Sequence, residues 1–178
     1  MRVWRRRNER FNPENIAANR ASGRISVNVW GCVSNDCKLD LVDIHGGLTA
    51  RKYIDDILRP EVEPHIDNHA LADRPIFMQD GATPHTAHIT TNFLTNAAID
   101  VLLWPAKSPD LNIIENIWSI MSRRINLMDP MPQNARELRI AVHDVWQRIP
   151  RATIHRLVAS VPRRLRACVE AEGGHINY

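Results

Sequence analysis

Two runs of alternating apolar residues flank one turn dipeptide early in this 178-residue chain, and together they commit it to a β-sheet. "RISVNVWGCVS" (24–34) sets Ile25, Val27 and Val29 against polar neighbours, and "KLDLVDIH" (38–45) repeats the pattern with Leu39, Leu41 and Ile44. Asn35-Asp36 between them is hairpin-turn chemistry. Gly46-Gly47 breaks the chain, after which Tyr53, Ile54, Ile57 and Leu58 have helical spacing behind a Thr49 N-cap, with Pro60 and Pro64 expected to interrupt. "PIFMQD" (75–80) reads as a strand. Thr83-Pro84 reads as an N-cap and first helical position for a helix running from His85 toward Asn96. "IDVLLWP" (99–105) is another short strand, stopped by Pro105. Ser108-Pro109-Asp110 opens a helix whose apolar face is Leu111, Ile114, Trp118, Met121 and Ile125. Helices over about 134–148 and 152–171 follow, joined near Pro150 and ended by Gly173-Gly174. A hairpin feeding alternating strands and helices predicts an α/β fold, a mixed sheet flanked by helices with further helices at the C-terminal end. Sites in such sheets form at the carboxyl ends of strands, and Asp80 ends one.

The length suits one domain with a hydrophobic core. Three cysteines make no disulfide framework, and the odd count argues for a reducing compartment. The charged start "MRVWRRRNERF" has no apolar core behind it, so it is not a signal peptide, and no run approaches the roughly 18 apolar residues that span a bilayer. No membrane partner is expected. The net charge of +3 hides a strong segregation. Residues 1–24 carry seven Arg against Glu9 and Glu14, residues 25–119 carry six basic residues against thirteen acids, and residues 120–170 carry ten Arg against four acids. An acidic middle between Arg-rich flanks suits a polyanion-binding surface around a metal-binding centre. Arg5, Arg6, Arg7, Arg123, Arg124, Arg163 and Arg164 are the candidate phosphate contacts, since guanidinium grips phosphate bidentately.

Asp80 and Glu115 are the candidate site carboxylates. Each has a plain alternative: an Asp before Gly81 forms turns, and a helical Glu is ordinarily solvated. Glu115 follows Leu111 by four residues and precedes Trp118 by three, which places it at the edge of the apolar stripe. Cys32 and Cys37, with His45 nearby, fall short of the four ligands of a zinc site.

The segments "MQDGATPHTA" (78–87) and "WPAKSPDLNIIENIW" (104–118) resemble the Tc/mariner superfamily of DDE transposases, in which a strand Asp is followed after 34 intervening residues by a helical Glu. Asp80 and Glu115 have that separation. The resemblance extends upstream to "VWRRRNERFNP" and "VNVWGCVS" and downstream to "SVPRRLRACVEAEGGHINY", covering essentially the whole chain. It implies an RNase H-like fold and strand cleavage and joining on DNA with two Mg²⁺ (or Mn²⁺) ions. Asp80 and Glu115 would then be catalytic metal ligands, His85 a neighbour of the site, and transposon inverted-repeat ends the DNA partner. A homodimer and a nuclear location belong to the same expectation. Ile113 stands where the family pattern commonly has Pro. The family's first Asp, on a strand preceding "RVWRRRNERF", has no counterpart, so the expected domain over 1–178 lacks the first strand and the helix-turn-helix DNA-reading domain. With two carboxylates instead of three, one metal position is expected to be poorly held and the isolated chain to be inactive; the alternative expectation is a catalytically inactive, transposon-derived remnant that at most binds nucleic acid.

Overall fold

The computed structural model describes residues 25–70, 73–105 and 108–172. Arg5, Arg6, Arg7 and the Gly173-Gly174 stop lie outside the described residues. The hairpin forms as expected: β1 (Asn28–Trp30) and β2 (Val42–Ile44) pair antiparallel, with Asn28 opposite Ile44 and Trp30 opposite Val42. Toward the turn the pairing resumes as a bridge between Val33 and Lys38, and the Ser34 hydroxyl accepts from the Asp36 and Cys37 amides. Between the two pieces the second strand carries one residue more than the first. This bulge over 39–41 cuts the expected strands of 24–34 and 38–45 down to three residues each.

The hairpin has a helical layer on either face. Val27, Val29, Val33 and Leu41 pack with Ile117, Met121, Val142 and Trp146, while Trp30, Cys32, Val42 and Ile44 pack with Tyr53, Ile57, Leu58 and Phe77. Leu41 and Ile44, three residues apart along the second strand, serve opposite layers.

The first layer begins at α1 (Ala50–Tyr53), where Thr49 Oγ1 accepts from the Lys52 amide at 3.2 Å, the cap expected from sequence. The chain continues through a π-helical stretch (Ile54–Val62) into α2 (Glu63–Asp67). Pro60 does not interrupt it. A proline ring clashes with the carbonyl four residues back, and the wider π turn moves that carbonyl away. Pro64 sits in the first turn of α2, where its missing donor costs nothing. The expected single helix from His85 to Asn96 is two, α3 (Thr83–Thr86) and α4 (His88–Asn96), separated by an extended Ala87, and the N-cap of α3 is Ala82 rather than Thr83. Side chains supply the reason for the split. Thr90 Oγ1 donates to the Pro84 carbonyl at 2.7 Å and Gln79 Nε2 to the His85 carbonyl at 3.2 Å, replacing the amides of a continuous helix. The expected strands 75–80 and 99–105 meet in one parallel bridge, Phe77 with Val101, closed by Phe77 N–H to Asp100 O and Leu102 N–H to Phe77 O, both 2.8 Å. Among the described residues no backbone ladder flanks this pair, and Leu103 is 95% exposed, so nothing extends the pairing.

The second layer is α5 (Ile113–Asn126), α6 (Ala135–Gln147) and α7 (Arg151–Glu170), close to expectation. The turn over 108–112 precedes α5 rather than belonging to it, and Asn112 is the N-cap. Ile117, Met121 and Ile125 point inward with Leu111 beside them. Trp118 and Trp146 stack at 5.6 Å between ring centres. No helix among the described residues is long and apolar enough to cross a membrane.

Lys38, beside the hairpin turn, caps α6. Its Nζ donates to the carbonyls of Trp146 (2.8 Å), Gln147 (3.0 Å) and Ile149 (3.3 Å), the groups a helix C-terminus leaves unpaired. Lys38→Met is expected to lower unfolding free energy by about 1 kcal/mol in urea titrations, because three charge-assisted hydrogen bonds to the helix end are lost at a partly exposed position. A loss under about 0.5 kcal/mol would show that the cap is only decorative.

Candidate active site

Asp80 follows the Phe77 bridge by three residues, and the parallel register sends residues beyond Phe77 and Val101 off the same end of the pair. Its side chain is 60% exposed. The turn-former reading is half right. Oδ1 accepts from the Ala82 amide at 3.1 Å and faces His85 Nδ1 at 2.6 Å, whereas Oδ2 has no partner among the described residues. One oxygen fixes the rotamer and the other is left open.

A small network stands behind this carboxylate. The His85 ring lies on the Tyr53 ring at 4.3 Å between centres. Tyr53 is fully buried, and its hydroxyl donates to Gln79 Oε1 at 2.8 Å. That bond orients the Gln79 amide so that Nε2 reaches the His85 carbonyl at 3.2 Å. Burial above all raises the phenol's pKa, and the Asp80 carboxylate adds to it, so it remains a donor. Burial likewise pushes the Cys32 thiol up to about 12, which makes it a packing residue. For His85 to donate to Asp80, its Nδ1 must carry the proton. Sequence reasoning missed Tyr53 and Gln79. The one available signal was a polar Gln inside the apolar run "PIFMQD".

Glu115 is the third residue of α5, and it is exposed rather than edged into the apolar stripe, whereas its neighbour Ile114 packs against the core. Asn112-Ile-Ile-Glu115 spells a capping box, in which the Glu would reach back to satisfy the N-terminal amides. It does not do so. The Asn112 amide already donates to the Pro109 carbonyl at 3.1 Å, and Glu115 forms no side-chain hydrogen bond or ion pair among the described residues. α6 provides the contrast. There Asn134-Ala-Arg-Glu137 has the same spelling, and Glu137 accepts from the Gln133 amide and from Asn134 Nδ2, both at 2.7 Å. Two helices with one motif thus spend their third-position Glu differently, and Glu115 is kept free.

The other acids near the hairpin are committed elsewhere. Asp40 accepts from Gln147 Nε2 at 2.7 Å, and Asp43 pairs with Arg139 (3.1 Å) and His143 (3.3 Å) of α6. Cys37 Sγ lies 3.2 Å from His65 Nε2. Among the described residues no three His, Cys, Asp or Glu side chains are grouped to hold a metal. The structure brings Asp80 and His85 together directly, while Asp80 and Glu115 share no contact.

The Arg candidates divide. Arg123, Arg124 and Arg163 are exposed, with Arg124 Nη1 donating to the Arg148 carbonyl at 3.2 Å. Arg164 is not a surface cation. It is 3% exposed, with Nη1 on the Asp110 carbonyl at 2.8 Å and Nε on Ser160 Oγ at 2.9 Å. Helical rotation turns it inward from its exposed neighbour Arg163, and its expected DNA contact is withdrawn.

Residues 2–139 match the family described as DDE superfamily endonuclease. The chain is 30% identical over 163 residues to the Tc3 transposase of Caenorhabditis elegans, covering 92% of this chain and 49% of that one. It is 32% identical over 177 residues to the Tcb1 transposase of Caenorhabditis briggsae, covering 98% and 63%. It therefore spans about half of the first relative and less than two-thirds of the second. Its fold is that of the Mos1 transposase catalytic domain solved with raltegravir and Mg (TM-score 0.69, 17% identity, 85% of this chain and 77% of that one). A mariner Mos1 paired end complex with Mg agrees equally (TM-score 0.70, 19% identity, 86% and 46%). The RNase H-like sheet with a helical layer on each face, the separation of Asp80 from Glu115 and the match over 2–139 give one answer: this chain belongs to the DDE superfamily of endonucleases, in its Tc/mariner transposase branch.

Proposed function

We propose that this chain is a transposition catalytic domain that cuts and joins DNA strands by divalent-metal-dependent phosphoryl transfer, with Asp80 and Glu115 as metal-holding carboxylates. The observation that carries the reading is Glu115, a carboxylate relieved of the capping duty its sequence position invites. The chemistry of these two carboxylates suits the group. Mg²⁺ and Mn²⁺ take carboxylate oxygens and retained waters, and Asp80 Oδ2 and both Glu115 oxygens stand without protein partners among the described residues, in reach of water. When bound, such ions help the attacking oxygen lose its proton and stabilise the leaving one.

The chain's own residues supply the rest. The Ala82 amide and His85 hold Asp80 in one rotamer, and Tyr53 and Gln79 hold His85. Arg123, Arg124 and Arg163, with the Arg-rich segment 1–24, are proposed to take phosphates without reading bases. Pairing of two copies on two DNA ends and action in the nucleus are parts of the same reading.

The test is incubation of the chain with Mn²⁺ or Mg²⁺ and a duplex carrying inverted-repeat ends. Nicking that Asp80→Asn or Glu115→Gln abolishes would support this reading. DNA retention without nicking by the unsubstituted chain would instead favour the nucleic-acid-binding remnant. Retention itself is expected to weaken by more than about tenfold between 50 and 200 mM salt, since each neutralised phosphate releases counterions. Affinity indifferent to salt would remove the Arg residues from the interface.

A further inference from the structure

We propose that Arg164 is a positioning residue: reaching from α7, it holds the turn from which Glu115's helix starts and so sets where that carboxylate stands. The inference rests on the reading of Glu115 as a metal ligand. A guanidinium 3% exposed has given up most of its hydration, a cost tolerated only where its hydrogen bonds are well made. Its bonds are specific. The Ser160 hydroxyl donates to the Leu157 carbonyl at 2.6 Å, which turns its lone pairs toward Arg164 Nε at 2.9 Å. With that edge fixed, Nη1 meets the Asp110 carbonyl at 2.8 Å.

Asp110 sits in the tight turn that ends at the N-cap of α5. The Leu111 amide donates to Ser108 O and the Asn112 amide to Pro109 O. Asn112 then grips the helix twice, through Oδ1 to the Ile114 amide at 3.2 Å and through its carbonyl to the Glu115 amide at 3.2 Å. Buried Leu111 anchors the same turn from the core side. Arg164 thus lies two links from Glu115: one to the turn, and one from the turn's last residue to the Glu115 backbone. The Pro109 carbonyl that occupies the Asn112 amide, and so releases Glu115 from capping, belongs to the turn that Arg164 holds.

The experiment uses the full chain, Mn²⁺ alone as probe, and amide hydrogen exchange read by NMR. Arg164→Lys keeps the charge but cannot bridge Ser160 Oγ and Asp110 O together. It is expected to speed exchange selectively at the amides of residues 111–115 and to weaken Mn²⁺ binding roughly tenfold, the scale on which groups orienting a ligand act. In a Glu115→Gln background the same substitution is expected to add no further loss of affinity. Ser160→Ala, which removes only the Nε partner, is the milder variant and should move the same amides in the same direction by less. Unchanged exchange at 111–115 in both variants overturns the proposal, as does a uniform rise along α5 and α7, which would make Arg164 a packing residue only. Selective exchange together with Mn²⁺ affinity that neither Arg164→Lys nor Glu115→Gln alters would leave Arg164 as the holder of the turn and overturn the metal-ligand reading of Glu115 instead.

Discussion

Glu115→Gln is expected to reduce Mn²⁺ affinity at least tenfold and strand cleavage by more than about a hundredfold, with only a small drop in melting temperature. Glu137→Gln is expected to do the reverse. The two residues share helix position and motif, and differ only in what their carboxylates touch. Glu137 binds the Gln133 amide and Asn134 Nδ2, so neutralising it weakens charge-assisted cap bonds and should cost about 1 kcal/mol of stability. Glu115 touches no protein group among the described residues, so folding gains from its charge only the modest dipole term of a first-turn acid. A metal-bound phosphoryl-transfer site gains several kcal/mol from each well-placed cation, and each 1.4 kcal/mol is a factor of ten, which sets the hundredfold floor. Mn²⁺ titration by electron paramagnetic resonance and thermal melts of the two variants side by side decide the matter. A Glu115→Gln chain that melts markedly lower but binds Mn²⁺ normally would make Glu115 a structural residue.

That crossed behaviour shows where sequence reading stops. Patterns decided by neighbours along the chain were legible: the Thr49 cap, the hairpin around Asn35-Asp36, and the Met121–Ile125 face of α5. Patterns decided by distant partners were not. Pro60 breaks helices in isolation, yet here the π turn absorbs it because Ile57, Leu58 and Val62 are all buried against the hairpin layer. The helix after Asp80 splits because Gln79 and Thr90 capture its carbonyls. Arg163 and Arg164 are chemically identical in the sequence, and only packing of α7 against the turn before α5 separates a surface cation from a buried clamp. Asp80 and Glu115 were singled out for a different reason, through resemblance of motif and spacing, and among the described residues they share no contact. The structure adds what spacing cannot carry: which carboxylate oxygens are already engaged.

Trp146→Ala is expected to destabilise the chain by about 4 kcal/mol, the usual range for truncating a buried aromatic. Trp146 is fully buried, stacks on Trp118, and donates Nε1–H to the Leu39 carbonyl at 2.9 Å. Its ring reaches the hairpin through Gly31, where an added Cβ would stand 2.9 Å from Trp146 Cη2 and from Leu41 Cδ2. No side chain fits between the ring and β1, so Gly31→Val should fail for the complementary reason, overfilling rather than emptying the same contact. Trp146→Phe keeps most of the packing but strands the Leu39 carbonyl, and should cost about 1–3 kcal/mol. A domain of this size has only about 5–15 kcal/mol in total, so the alanine variant is expected to leave the second layer partly open at 37 °C. The consequence reaches the site, because Glu115 rides on α5 in that layer, whereas Asp80 is tied by His85, Gln79 and Tyr53 to the layer on the other face of the hairpin. Loss of Trp146 should therefore weaken Mn²⁺ binding as temperature rises, before the Tyr53–Gln79 side melts. Urea titration followed by circular dichroism, paired with Mn²⁺ binding at 15 and 37 °C, checks both halves. A destabilisation below about 1 kcal/mol would mean that Trp146 does not join the hairpin to α5 and α6.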